Sequence, residues 1–287
     1  MPTLAVDYAK SFDEVYCAGT LEAIRQEAGA DTFPSWVPRW DRSLARDAGD
    51  ATRMITDCAA DDTRSVSAHT LSANFTSAQQ RILWVDGIVL EPILAVNDVV
   101  LASMYYPDIA AFLARSKRFA DAHHHDWEST TSDLDDLLTT MMCDPPGTTK
   151  FQDPRKNNEL IELFCIADTD AAQVTETFTR LSASCQSVLS TMLNTCYNRR
   201  LFITASGRLG LGPQNSRAGD LIAVFLGERF PYVVRPVDGD PCKEGDENSH
   251  EQGYRMLEHC YVHGIMNGEA VQEHEAAGKP IPTFRLA

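Results

Sequence analysis

At 287 residues the chain can hold one large domain or two modest ones, and 44% hydrophobic with 23% charged residues is a globular balance, not a disordered one. A formal charge of −16 argues against a nucleic-acid surface, which needs clustered Lys and Arg, and disfavours an anionic membrane face. The longest apolar runs, such as Ile88 to Val96, are interrupted by Glu91 and Pro92 and fall far short of the ~20 residues that span a bilayer.

In chain order, residues 7–28 place Val15, Ala18, Leu21 and Ile24 at helical spacing, with Ser11 as a cap. Two prolines forbid a long helix over Phe33 to Trp40, so Trp36 and Trp40 are expected to pin an extended segment onto the core. Asp41 to Asp62 reads as a loop. Val66 to Leu71 and Arg81 to Leu90 read as strands, the second with a bulge or turn at Gly87. Pro107 suits the first turn of a helix running to about Ala122 and closed by His123-His124-His125. A short helix over Ser132 to Met142 ends at Asp144-Pro145-Pro146-Gly147. From Asp170 to about Asn198, the stripe Val174, Phe178, Leu181, Cys185, Val188, Met192 and Cys196 predicts one long helix ended by Arg199-Arg200.

Beyond Arg200 the pattern changes to short apolar runs between glycine turns. These are Leu201 to Thr204, Leu209 to Pro213, Leu221 to Leu226 and Tyr232 to Pro236; a polar loop, Asp238 to Gln252, then leads to Tyr254 through Val262. This spacing predicts a small closed sheet that the 66–98 hairpin could join. The expected architecture is α+β: a small antiparallel β-barrel-like sheet packed with several α-helices. It forms a single domain over 1–287, with an N-terminal part (1–65), a hairpin (66–98), a helical part (106–199), a β-rich part (200–270) and a tail (271–287).

The eight cysteines, Cys17, Cys58, Cys143, Cys165, Cys185, Cys196, Cys242 and Cys260, are scattered singly with no Cys-x-x-Cys. With no basic n-region and apolar run at Met1 to Asp13, the expectation is a cytoplasmic protein with reduced thiols. Gly207-x-x-Gly210-x-Gly212 is followed by strands, so a hairpin turn is favoured over a phosphate loop. Adjacent histidines at 123–125 point in different directions, and His259 and His263 lack a matching ligand set; no metal is expected. There is no Gly-x-Ser-x-Gly elbow, Walker loop or His-Glu-x-x-His element. Cys260 beside His259 is a weak thiol-nucleophile pattern, since strand neighbours point to opposite faces.

Several blocks carry a resemblance. Val6-Asp7-Tyr8-x-Lys10-Ser11-x-x-Glu14-Val15-Tyr16 and Pro34-Ser35-Trp36-Val37-Pro38-x-Trp40 stand near one end. Phe202-Ile203-Thr204-x-x-Gly207-x-Leu209-Gly210-Leu211-Gly212-Pro213, Gly219-Asp220, Leu226-Gly227, Pro231 to Pro236 and Tyr261 to Ala270 stand near the other. In this order they resemble the region that follows the HET domain in fungal heterokaryon-incompatibility proteins. The HET domain itself would precede Val6, where five residues stand, and Asn267 replaces the family's usual aspartate. Stand-alone proteins resembling this region look like accessory enzymes of fungal natural-product pathways, of the norbornene-forming Diels–Alderase kind found in sordaricin-type biosynthesis.

The resemblance therefore implies a cofactor-free cyclase carrying out a Diels–Alder-type cycloaddition on an apolar terpenoid intermediate. Such chemistry needs a near-attack pose and one or two donors polarising a carbonyl. Candidate donors are Tyr232, Arg235, His259, Tyr261 and His263; candidate wall residues are Trp36, Trp84, Phe202 and Phe225. Two other expectations stand beside it: a non-catalytic HET-type interaction or regulatory protein, and a hydrolase or isomerase using His263 or Cys260.

Overall fold

A computed structural model of the chain describes residues 73–75, 83–98, 100–123, 131–143, 154–169, 171–226, 228, 230–237 and 253–286. The expected helix over 7–28, the Trp36 segment, the loop at 41–62, the strand at 66–71 and the loop at 238–252 lie outside the described residues. The fold is α+β, a mostly antiparallel sheet with six helices among the described residues.

The strands are β1 (Ala73–Phe75), β2 (Leu83–Val96), β3 (Arg199–Thr204), β4 (Leu209–Pro213), β5 (Leu221–Phe225), β6 (Pro231–Val237), β7 (Gly253–His259), β8 (Tyr261–Val262) and β9 (Thr283–Leu286). Strand β2 organises the sheet. Its first residues pair with β9 and β1, Gly87 to Pro92 pair with β5, and Ile93 to Val96 pair with β3. The change of partner falls at Pro92. Having no N–H, a proline is tolerated in a strand where the ladder is interrupted, and the β5 ladder ends at Pro92 opposite Leu221. Gly87 allows β5 to approach, because a Cβ there would stand 2.6 Å from the Val224 carbonyl oxygen.

Pairing of β2 with both β5 and β9 makes a ring, β2-β5-β6-β7-β9, in which the parallel β7–β9 contact is limited to Gly253 opposite Arg285 and Tyr254 opposite Leu286. Alternation sends one set of side chains into this ring. Val85, Ala223, Phe225, Val234, Phe284 and Leu286 form a buried cluster there, flanked by half-buried Leu221, Tyr232, Tyr254 and Met256. Every strand of the ring contributes.

The helices are α1 (Tyr106–His123), α2 (Thr131–Met142), α3 (Pro154–Thr169), α4 (Ala171–Arg180), α5 (Ala183–Cys196) and α6 (Glu269–Ala276). In α1, Ile109, Phe112, Leu113 and Ala120 are buried along one stripe, the spacing of an amphipathic helix. The largest core joins α1 to α5 with Leu201, Ile203, Leu209, Leu211 and Tyr261 from β3, β4 and β8. The single helix expected over 170–198 is instead α4 and α5. Ser182 interrupts it: its Oγ accepts from the Cys185 N–H (3.3 Å) and donates to Glu159 Oε2 (3.0 Å), while its own N–H donates to the same carboxylate oxygen (3.0 Å). Side-chain capping thus breaks a continuous apolar stripe. Helix α6 begins at the end of the expected β-rich part and runs into the expected tail, which also holds β9; Val271 of α6 packs on Ile88 and Val224 of the ring.

The Gly207 to Gly212 segment is the β3–β4 hairpin. Gly207 takes a left-handed φ of 88° at its turn. Glu91 fastens that turn to β2, accepting from Ser206 N–H (2.7 Å), Ser206 Oγ (2.9 Å) and Arg208 Nη1 (3.0 Å). Burial pushes the Glu91 carboxyl up, but these donors together outweigh it and hold it below its ordinary range.

Candidate functional site at the barrel rim

The ring interior is aromatic at its centre. Phe225 lies 5.3 Å, centroid to centroid, from both Tyr232 and Phe284, and Phe284 lies 5.3 Å from Tyr254. Both tyrosines are half-buried. The Tyr232 hydroxyl donates to Glu228 Oε2 at 3.1 Å, and burial pushes the Tyr254 hydroxyl pKa up.

A bulge positions the next residues. Between β6 and β7 the register runs Tyr232–His259 and Val233–Glu258, then shifts to Val234–Met256, leaving Leu257 without a partner. Directly paired residues share one face of a sheet, so His259 stands beside Tyr232. Arg199, the first residue of β3, follows Asn198, whose left-handed φ of 55° turns the chain out of α5. Its guanidinium is 3% exposed. Nη2 donates to Glu258 Oε1 (3.0 Å) and lies 2.8 Å from His259 Nε2, while Nη1 donates to the His259 carbonyl (3.2 Å). Burial first, and the Arg199 charge second, hold the imidazole well below its ordinary pKa. The Phe230 ring packs against it with centroids 5.7 Å apart.

Three of the expected site residues therefore come together: Phe225, Tyr232 and His259. The others lie elsewhere. Arg235 forms a fork on Asp220, Nε to Oδ1 at 2.7 Å and Nη2 to Oδ2 at 2.9 Å, with a further bond from Nη2 to the Asn215 carbonyl. Tyr261 is fully buried in the helical core. His263 Nε2 stands 3.6 Å from Asp136 Oδ1 of α2, and its Nδ1 is buried with no partner among the described residues. Phe202 is buried outside the ring, over Gly210 and Gly212. Trp84 is half-buried on β2, paired with Asn74 and Arg285. Trp36 is outside the described residues. Cys260 is fully buried, its sulfur 3.5 Å from the Pro231 carbonyl, and burial pushes its thiol pKa up.

Sequence reasoning passed over Arg199, Glu258, Glu228, Tyr254 and Phe284. Arg199 read as the basic end of a helix, and Phe284 fell in a segment read as a tail. The alternation Phe284 and Leu286 was the one available signal for β9.

Residues 156–278 match the Het-6 beta-barrel domain. The Het-6 barrel match runs from α3 to just beyond α6, so β2 and β9, which close the ring, lie outside it. A 77-residue stretch is 39% identical to "Heterokaryon incompatibility protein 6, OR allele" of Neurospora crassa, covering 27% of this chain and 10% of that protein. The chain thus matches about a tenth of that relative's length. No solved structure matches the chain. Among the described residues no helix is long and apolar enough to cross a membrane.

Proposed function

We propose that the Het-6-type barrel is the binding chamber of a cofactor-independent cyclase that performs a Diels–Alder-type cycloaddition on an apolar terpenoid intermediate. One observation carries this reading: an aromatic cluster of Phe225, Phe284, Tyr232 and Tyr254 inside the ring stands next to His259, which pairs with Tyr232 and is held by the buried Arg199. The aromatic rings supply apolar surface for a hydrocarbon skeleton, and the tyrosine and histidine supply the few polar groups that orient it. In the reaction, two carbon–carbon σ bonds form as three π bonds reorganise to one. No proton, electron or leaving group is exchanged. The protein contributes a near-attack pose and a donor to the oxygen of a carbonyl conjugated with the dienophile. A well-placed donor lowers such a barrier by about 3 kcal/mol. A small-molecule partner and a cytoplasmic setting belong to the same proposal.

The test is incubation of purified protein with a terpenoid aldehyde bearing a cyclopentadiene and a pendant alkene, with no added cofactor. The expected result is faster cyclisation with a changed stereoisomer ratio, and loss of about a hundredfold in rate for His259→Leu, which removes the ring donor. An unchanged spontaneous rate and ratio would overturn the reading.

A second reading, a non-catalytic interaction or regulatory protein, is favoured by the similarity to a heterokaryon incompatibility protein. It expects a stoichiometric protein partner to co-purify from the native organism. Failure to recover one, together with turnover in the first test, removes it.

A further inference from the structure

We infer that Arg199 fixes His259 as its Nδ1–H tautomer, so that the barrel rim offers a ring N–H to a neutral acceptor, the oxygen of a ketone or aldehyde. A guanidinium carries only donors. Its Nη2 has two hydrogens and two neighbours, Glu258 Oε1 at 3.0 Å and His259 Nε2 at 2.8 Å. The carboxylate takes one hydrogen, and the second can be received at 2.8 Å only by an Nε2 that presents a lone pair. A neutral imidazole has a single N–H, which then sits on Nδ1.

The surrounding groups keep this arrangement in place. Nη1 holds the His259 carbonyl, so side chain and backbone of His259 are gripped by one fork. The charged groups facing the ring are Arg199 itself and Glu258, whose charges oppose each other; Phe230 covers the ring from one side. Among the described residues nothing accepts from Nδ1. A carboxylate ligand entering here would meet Arg199 already paired with Glu258 and would lose its hydration without gaining an uncompensated cation. A carbonyl oxygen avoids that cost. It would receive a hydrogen bond from an imidazole polarised, through its other nitrogen, by a buried cation.

This deepens the cyclase reading and rests on it only for the ligand; the tautomer is a property of the free protein. The test is long-range proton–nitrogen correlation NMR on 15N-histidine-labelled protein near neutral pH, with His259→Gln used to assign the signal. A pyrrole-type Nδ1 and pyridine-type Nε2 are expected; a protonated Nε2, or an imidazolium, overturns the inference. Arg199→Lys should shift the ring toward a tautomer mixture, and if that variant does not fold, the wild-type spectrum alone decides. Titration with cyclohex-2-en-1-one should move the Nδ1 signal, and cyclohexanecarboxylate should move it less. An equal or larger response to the carboxylate, or none to the enone, overturns the neutral-acceptor site. Lack of turnover with a correct tautomer would sink the cyclase reading alone.

Discussion

Cys165 and Cys260 have the same side chain and opposite prospects. Cys165 is exposed on α3, whereas Cys143, Cys185, Cys196 and Cys260 are buried, and burial drives the Cys185 thiol up to about 12. A thiolate, not a thiol, is the nucleophile. Brief treatment of native protein with a disulfide reagent, followed by mass mapping, should therefore label Cys165 first among these five, and the other four only in denaturant. Acid should weaken the fold in two stages. His259 stays neutral when folded, so below the unfolded value of about 6.5 only the unfolded chain takes up that proton, and stability falls as pH falls. Glu91 is held low when folded, so its contribution is present above the unfolded value of about 4.3 and is lost as pH drops through the folded one. Urea midpoints measured from pH 8 to about pH 2.5 should decline below about 6.5 and again below about 4.3, with His259→Gln removing the first decline. At this scale the sequence named Tyr232, His259 and Phe225, because aromatic and imidazole side chains declare their chemistry wherever they stand. It could not name Arg199 or Glu258. Charged residues at strand and helix ends ordinarily meet water, and only the bulge at Leu257 and the turn at Asn198 bring these two together.

The β3–β4 hairpin shows what a glycine can mean inside a strand. A Cβ on Gly210 would overlap the edge of the Phe202 ring and stand 2.8 Å from the Tyr261 carbonyl oxygen. Gly210→Ala should cost about 2 kcal/mol by overpacking, with part recovered in the double variant Phe202→Leu/Gly210→Ala, both read from chemical unfolding. The clamp between Asp220 and Arg235 is a second element-scale device. Asp220 is 1% exposed and receives two bonds from Arg235, fixing the β4–β5 loop to β6. Asp220→Ala leaves the guanidinium without its carboxylate, with only the Asn215 carbonyl, among the described residues, to accept from it, and should cost about 3 kcal/mol, whereas substitution of exposed Asp98 should change stability by less than about 0.5 kcal/mol. The alternation of apolar residues between glycine turns was enough to foretell β3 to β7. The division of α4 from α5 was not foretold, because the apolar stripe runs straight through Ser182 and the carboxylate that stabilises the break comes from Glu159 on another helix.

Sheet and helical layer are not independent bodies. Leu201, Ile203, Leu209 and Leu211 belong to the sheet and also to the core shared with α1 to α5. Unfolding followed by helix-sensitive circular dichroism and by tyrosine and tryptophan fluorescence should give coincident curves; separate midpoints would mean the two layers melt apart. An α+β architecture with a small barrel was readable from the order of helical and alternating segments. The closure of the ring was not, since it depends on β9, four residues in a stretch whose pattern resembles an ordinary polar end.

That insertion has a consequence for how the chain is made. The Thr283 hydroxyl reaches Asp86 across 197 residues of sequence, and β9 slots between β2 and β7, both synthesised before it. Until β9 has been synthesised, β2 and β7 stand with unsatisfied edges, the condition in which strands recruit neighbours from other chains. Chains stalled before Thr283 would then be the species most in need of a chaperone, since, among the described strands, only β9 pairs with both β2 and β7.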